Sequence, residues 1–226
     1  MRKATLISLC ALLGVATMAA ADSNADQLRK ATNVLNEIMQ APDNGIPSDL
    51  LSKAVCVGIV PSELKFALGF GGSYGRGVLV CREGGNGEWG APSMFTMGGG
   101  SFGFQIGGKA TDVVFIVMNA DGARKLVRDS VKLGAGASVA GGPVGRDASA
   151  LTDAMMAAEI LSWSRSKGLF LGVSLEGATL RNDLDENEAM YGKRWTNRQI
   201  VNSGVAPPKG ATGLLKELNR YSMKRG

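Results

Sequence analysis

Residues 98–109 read GGGSFGFQIGGK, and three chemical motifs overlap in that one stretch. Gly98, Gly100 and Gly103 match G-x-G-x-x-G, the spacing that lets a backbone approach a dinucleotide pyrophosphate. Gly99, Ser101 and Gly103 match G-x-S-x-G, the turn that exposes a nucleophilic serine. Gly103, Gly108 and Lys109 approach a phosphate-binding loop. Each chemistry needs a companion. The first and third need a helix directly afterwards, but FQIG and TDVVFIVM read as strands. The third also needs Ser or Thr after Lys109 to hold magnesium, and Ala110 stands there. The serine needs a base, and the chain has no histidine. The same G-x-S-x-G recurs at Gly71, Ser73 and Gly75, as expected of a chain with 32 glycines. The stretch is therefore read as a glycine-rich hairpin.

The missing histidine also removes His-containing zinc sites and His general bases. Asp183, Asp185 and Asn187 spell D-x-D-x-N, but Glu188 and Arg194 stand where a calcium loop needs Gly and Glu. That run is read as a solvated turn in which Asp185 or Asn187 caps a short helix. A carboxylate dyad of Asp147 and Asp153 is the remaining enzymatic option, and nothing in the sequence places the two together. The expectation is a protein that is not an enzyme and has no cofactor, no metal and no catalytic residue.

Charge is more informative. The chain carries 25 basic and 20 acidic residues. Residues 193–226 hold eight cations (Lys193, Arg194, Arg198, Lys209, Lys216, Arg220, Lys224, Arg225) and one acid, Glu217, a net +7. Residues 22–192 carry a net −4. A tail of this sign suits an anionic partner.

The elements that must position these groups follow from periodicity. Leu28, Ala31, Leu35 and Ile38 share one face of a helix over residues 24–40, with Ser23 or Asn24 at its start and Pro42 and Gly45 at its end. A short helix is expected over Ser48–Lys53. From Ala54 to Leu180 the text is mostly strand-like: AVCVGIV, FALGFGGSYGRGVLVCR about a glycine-rich turn, SMFTMGGG, SFGFQIG with Phe102, Phe104 and Ile106 alternating, and TDVVFIVMN. NADGARKLVRDS reads as a short helix, and ILSWSRSKGLFLGVSLEGATL as a hairpin about Arg165-Ser166-Lys167-Gly168. Leu214, Leu215, Leu218 and Tyr221 line one face of a last, basic amphipathic helix. It suits either a membrane surface or docking on the domain. The expected fold is α+β: a curved, barrel-like, mostly antiparallel sheet of glycine-rich hairpins with an N-terminal amphipathic helix and short flanking helices.

Residues 1–21 read as a secretory signal: Arg2 and Lys3, an apolar run from Leu6 to Met18, then Ala19-Ala20-Ala21 before Asp22. Cleavage leaves Cys56 and Cys81, both in strand-like runs. In an oxidising compartment a disulfide is expected between them, the alternative being two buried thiols.

GFGGSYGRGVLV, GGGSFGFQIGGKATDVVFIVMN, LGAGASVAGGPVGRDAS and ILSWSRSKGLFLGVSLEGATL, in this order and spacing, resemble the SYLF domain, also described as the yeast-type actin-binding regulator domain. The resemblance covers roughly residues 28–192. It implies a phospholipid-binding module. Eukaryotic members bind phosphoinositides, some bind actin, and they use an N-terminal amphipathic helix at the membrane. This chain looks like a bacterial-type exported member, so the actin role is not carried over. The motif-borne cations available to a head group are Arg76, Lys109, Arg146, Arg165 and Lys167, with Lys216, Arg220, Lys224 and Arg225 in the tail. The expected organisation is a signal peptide (1–21), a SYLF-like domain (22–192) and a basic C-terminal extension (193–226). The expected partner is anionic phospholipid or a membrane surface, with an envelope protein as the alternative and no nucleic acid. The expected location is secreted or periplasmic, in association with a membrane.

Overall fold

In strands 56–60, 78–81 and 113–117 nearly every residue is apolar, as befits strands covered on both faces. A computed structural model describes residues 23–41, 45–68, 70–101, 107–143, 152–166 and 168–222. The chain begins with α1 (residues 23–40) and α2 (Ser48–Lys53). Strands β1 (Cys56–Leu68), β2 (Phe70–Cys81), β3 (Ser93–Ser101) and β4 (Gly107–Val117) follow. Next come α3 (Ala120–Leu126), β5 (Ser130–Lys132), β6 (Val139–Gly141) and α4 (Asp153–Ala157). Strands β7 (Ile160–Ser166), β8 (Leu169–Gly172) and β9 (Thr179–Asn182) complete the sheet, before α5 (Leu184–Tyr191), α6 (Asn197–Ser203) and α7 (Thr212–Tyr221). The fold is α+β, with the expected N-terminal helix and a curled, half-barrel sheet.

The strand order is β5-β9-β3-β2-β1-β4-β7-β6, with β8 also on β7. Among the described strands, every pairing is antiparallel except β6 on β7. The curl has a simple cause. From β8 to β9 a flat sheet would span six strand spacings, about 29 Å. The chain makes that passage between Gly172 and Thr179, a reach of at most about 25 Å even when fully extended. Bending the sheet brings its two ends together.

Alternation sends side chains into two cores. Val57, Ile59, Val78, Val80, Val114, Ile116, Leu161 and Trp163 face the helical layer, where α1 supplies Leu28, Ala31, Val34, Leu35 and Ile38 and α7 supplies Leu214 and Leu218. Cys56, Val60, Leu79, Cys81, Phe95, Val113, Phe115 and Val117 face the other way, against Leu126 of α3 and Leu175 of the short β8–β9 connection. Glycine is required where rings cross strands. Gly58 pairs with Phe115, and a Cβ there would lie 2.0 Å from the ring.

Several sequence expectations sharpen or change. The hairpin turn before Leu169 places Gly168 at φ +83°, a conformation that suits glycine. Asn119 caps α3 by accepting from Gly122 N at 2.8 Å. The residue that caps α5 is Asp183, which accepts from Glu186 N, not Asp185 or Asn187. Asn187 is instead fully buried, accepting from Met94 N at 2.8 Å and donating to Asn197 Oδ1 and the Trp195 carbonyl. LFLGVSLEGATL is not one strand of a hairpin: its two halves, β8 and β9, lie at opposite ends of the sheet. Residues 1–22, Pro42 and the alternating Phe102, Phe104 and Ile106 lie outside the described residues. No helix among the described residues is long and apolar enough to cross a membrane.

Candidate anion-binding cleft

An arginine that is to hold a ligand must not already hold a carboxylate. Arg76, on β2, does: it pairs with Asp183 (3.3 Å) and Glu186 of α5, while its carbonyl accepts from Gln27 of α1 at 2.6 Å. Desolvation pulls its pKa down, but the Glu186 hydrogen bond and the two carboxylates outweigh that and leave the guanidinium above its ordinary value. Arg165, on β7, pairs with Asp112 of β4 (3.0 Å) and Glu37 of α1 and stacks over Phe170 at 5.1 Å. Asp112 also accepts from Ser62 N at 2.9 Å, steadying a non-glycine residue at φ +56°. Both arginines therefore fasten the sheet to its helices.

Arg165→Ala leaves Asp112 largely buried without its cation. The expected loss is about 1–3 kcal/mol, read by urea denaturation followed by circular dichroism. A loss under about 0.3 kcal/mol would show the pair to be a solvated surface contact.

The remaining predicted cations divide. Lys216 is exposed on α7. Arg220 pairs with Glu217 at 3.0 Å and stacks over Tyr221. The side chain of Lys109, and all of Arg146, Lys167, Lys224 and Arg225, lie outside the described residues. Asp147 lies outside them as well, so the carboxylate dyad with Asp153 cannot be assembled from what is described. The D-x-D-x-N residues have separate duties: Asp183 caps α5, Asp185 pairs with Arg194, and Asn187 is buried.

The structure instead gathers four arginines that sequence reading did not group. A cleft of about 490 Å³ opens where the β1 and β2 ends, α3 and α6 meet. Arg82 follows the last residue of β2, Arg124 lies in α3, Arg128 just after it, and Arg198 in the first turn of α6. No acidic residue lines the cleft among the described residues. Arg124 pairs with Asp121 from the rim. Arg128 and Arg198 are exposed and have no ion-pair partner among the described residues. Arg82 is held in place by neutral groups: Nε donates to the Ala54 carbonyl (3.0 Å), Nη1 to the Gly87 carbonyl (2.9 Å), and the guanidinium lies 4.2 Å over Trp89. Burial pulls its pKa down from the ordinary value, yet an arginine stays charged at neutral pH. The cleft floor includes the disulfide that joins Cys56 to Cys81, directly opposed on β1 and β2.

One signal for this site was readable. Arg124 and Arg128 are four residues apart in a segment read as helical, which puts two cations on one face. Arg82 and Arg198 arrive from segments 116 residues apart, and only the fold brings them together.

Known proteins bear out the family resemblance. The family described as Ysc84, Las17-binding protein actin regulator, matches residues 98–221. LAS seventeen-binding protein 3 of Saccharomyces cerevisiae is 34% identical over 201 residues, covering 85% of this chain and 43% of the yeast protein. The human SH3 domain-containing YSC84-like protein 1 is 30% identical over 205 residues, covering 88% of this chain and 59% of the human protein. The chain thus spans less than half the length of the yeast relative. With the family matched across more than half of its length, from β3 to α7, this chain belongs to the Ysc84 family.

Proposed function

We propose that the chain is a non-enzymatic binding module that docks its arginine-lined end on anionic phospholipid. The observation that carries this reading is the cleft itself: four arginines from three segments of the sequence, with no acid in the lining among the described residues. Arg128 and Arg198, with no ion-pair partner among the described residues, keep their charge for an external anion. Arg76 and Arg165 hold carboxylates already, so their share in binding is indirect. Lys216 and the C-terminal cations add attraction to a negative surface at about 1 kcal/mol each. We further propose that residues 1–21 are removed on export, that the Cys56–Cys81 bridge belongs to an oxidising compartment, and that residues 193–226 form a basic extension of the SYLF-like domain.

The apolar face of α1 is buried in the core, so membrane contact in this reading does not use it. The same holds for α7, whose Leu214 and Leu218 are fully buried. Truncating the tail would expose core residues, and charge substitution is the better test. The purified chain is sedimented with phosphatidylcholine vesicles, alone or with phosphatidylglycerol, at low and high salt. The expected result is binding only to the anionic vesicles, weakened by salt. Arg124→Glu, Arg128→Glu and Arg198→Glu together lower it by about 100-fold or more, given about 1 kcal/mol per cation. Equal binding by this variant removes the cleft from the reading, and no binding by the parent chain sinks it.

A protein partner is the second reading. It is favoured by the relatives' description as Las17-binding and by Leu64 and Tyr74, directly opposed on β1 and β2 and half exposed.

A further inference from the structure

A flat cationic surface needs no depth, but this site has depth and apolar walls. Val55, Ala123, Val127 and Val201 line the cleft between the arginines. Its volume, about 490 Å³, falls within the range of small-molecule sites. A lone phosphate would leave most of that space, and all of the apolar wall, unused. Arg82 spends Nε and Nη1 on the Ala54 and Gly87 carbonyls and lies over Trp89, so it borders the cleft as a fixed charge and leaves the ligand contacts to others. Arg128 and Arg198 border the same space from separate segments, with no carboxylate to leave among the described residues.

We infer that the cleft is a discrete pocket for a phosphate monoester carried on an apolar body. The inference rests on the anion-binding reading and narrows it to one ligand per chain. A monoester carries close to two negative charges at neutral pH and three acceptor oxygens. Guanidiniums suit such a group through paired N–H···O contacts. The valine and alanine side chains then cover the organic part. The ligand has two sources that share this chemistry: a phosphorylated lipid head group or a soluble phosphate ester.

The test is calorimetric titration of the purified chain with phenyl phosphate, inorganic phosphate and benzyl alcohol. The pocket predicts one site per chain, phenyl phosphate at least tenfold tighter than inorganic phosphate, and no heat from benzyl alcohol. Arg128→Gln with Arg198→Gln weakens phenyl phosphate tenfold or more. Asn202→Trp, at an exposed position on the cleft wall, keeps every charge and fills the mouth. It produces a similar loss, and Ala123→Phe is the second filler. Phenyl phosphate no tighter than inorganic phosphate, or binding indifferent to both fillers, overturns the pocket. Vesicle sedimentation on the same variants separates the two readings. Vesicle binding without phenyl phosphate binding overturns the pocket and leaves the surface role standing. Phenyl phosphate binding without vesicle affinity upholds the pocket and assigns it a soluble ester.

Discussion

Trp163→Ala lowers the unfolding free energy by about 3–5 kcal/mol, the range for truncating a fully buried tryptophan. Trp163 is 0% exposed on β7 and faces the helical core. Its Nε1 donates to the Pro143 carbonyl at 3.0 Å. Its ring lies over Gly142, where a Cβ would come within 2.0 Å. The substitution removes ring contacts, leaves the Pro143 carbonyl without its donor and opens a void between β7 and the helices. Partial collapse is limited, because β7 is fixed by β4 on one side and by β6 and β8 on the other. Trp163→Phe keeps most of the volume and loses the hydrogen bond, so it falls between parent and alanine variant. Urea denaturation followed by circular dichroism reads both. A loss below about 1 kcal/mol for the alanine variant would mean that the site closes around the void and that the Gly142 contact is dispensable.

The pairing of rings with glycines also explains which parts of the fold the sequence could announce. The unbroken apolar run VFIVM and the alternation in FTMG depend on local neighbours, so β4 and β3 were legible. The helical face Leu28, Ala31, Leu35 and Ile38 was legible for the same reason, and all four are buried. Strand order was not. The text LFLGVSLEGATL runs on without a strong break, yet β8 pairs with β7 while β9 pairs with β3 and β5. That separation follows from the curl of the whole sheet, a property of nine strands together. The short parallel strand β6 has the same origin: VAG has no strand signature, and the free edge of β7 recruits it.

The site shows the same limit. Charge type and motif position nominated Arg76 and Arg165, but a motif cannot say which cations meet acids across the fold. Asp183, Glu186, Glu37 and Asp112 come from 37 to 186 in the numbering and claim both arginines. The cleft arginines left over meet valines, carbonyls and glycines, and one of them, Arg124, also meets Asp121 of its own helix. Of these, only the Arg124 and Arg128 pair has a spacing that a helix explains. The asymmetry of charge along the chain was a sound guide to sign. It pointed to the tail, whereas the cleft draws one arginine from that tail and three from the net-acidic region before it.

Breaking the Cys56–Cys81 bridge joins stability to the site. The bond closes a separation of 25 residues, which the loop-entropy relation puts at about 3 kcal/mol. Cys56→Ala with Cys81→Ala therefore lowers stability by about that amount, and a dithiol reductant acting on the parent chain does the same. The loss is measured by thermal and urea unfolding of oxidised, reduced and double-alanine chains. A reduced parent as stable as the oxidised one would show that the bond does not restrict the unfolded chain as the loop-entropy relation requires. The ladder itself is expected to survive in the folded state, because Arg82 N donates to the Val55 carbonyl at 2.8 Å and Val55 N to the Val117 carbonyl at 2.7 Å, flanking the bridge. Those bonds hold the residue that follows Cys81, so Arg82 keeps its carbonyl and indole contacts. The double-alanine chain should thus unfold earlier yet bind anionic vesicles as the parent does at temperatures where both are folded. Stability and binding separate at this bond: the disulfide secures the floor of the cleft, and the arginines around it supply the charge.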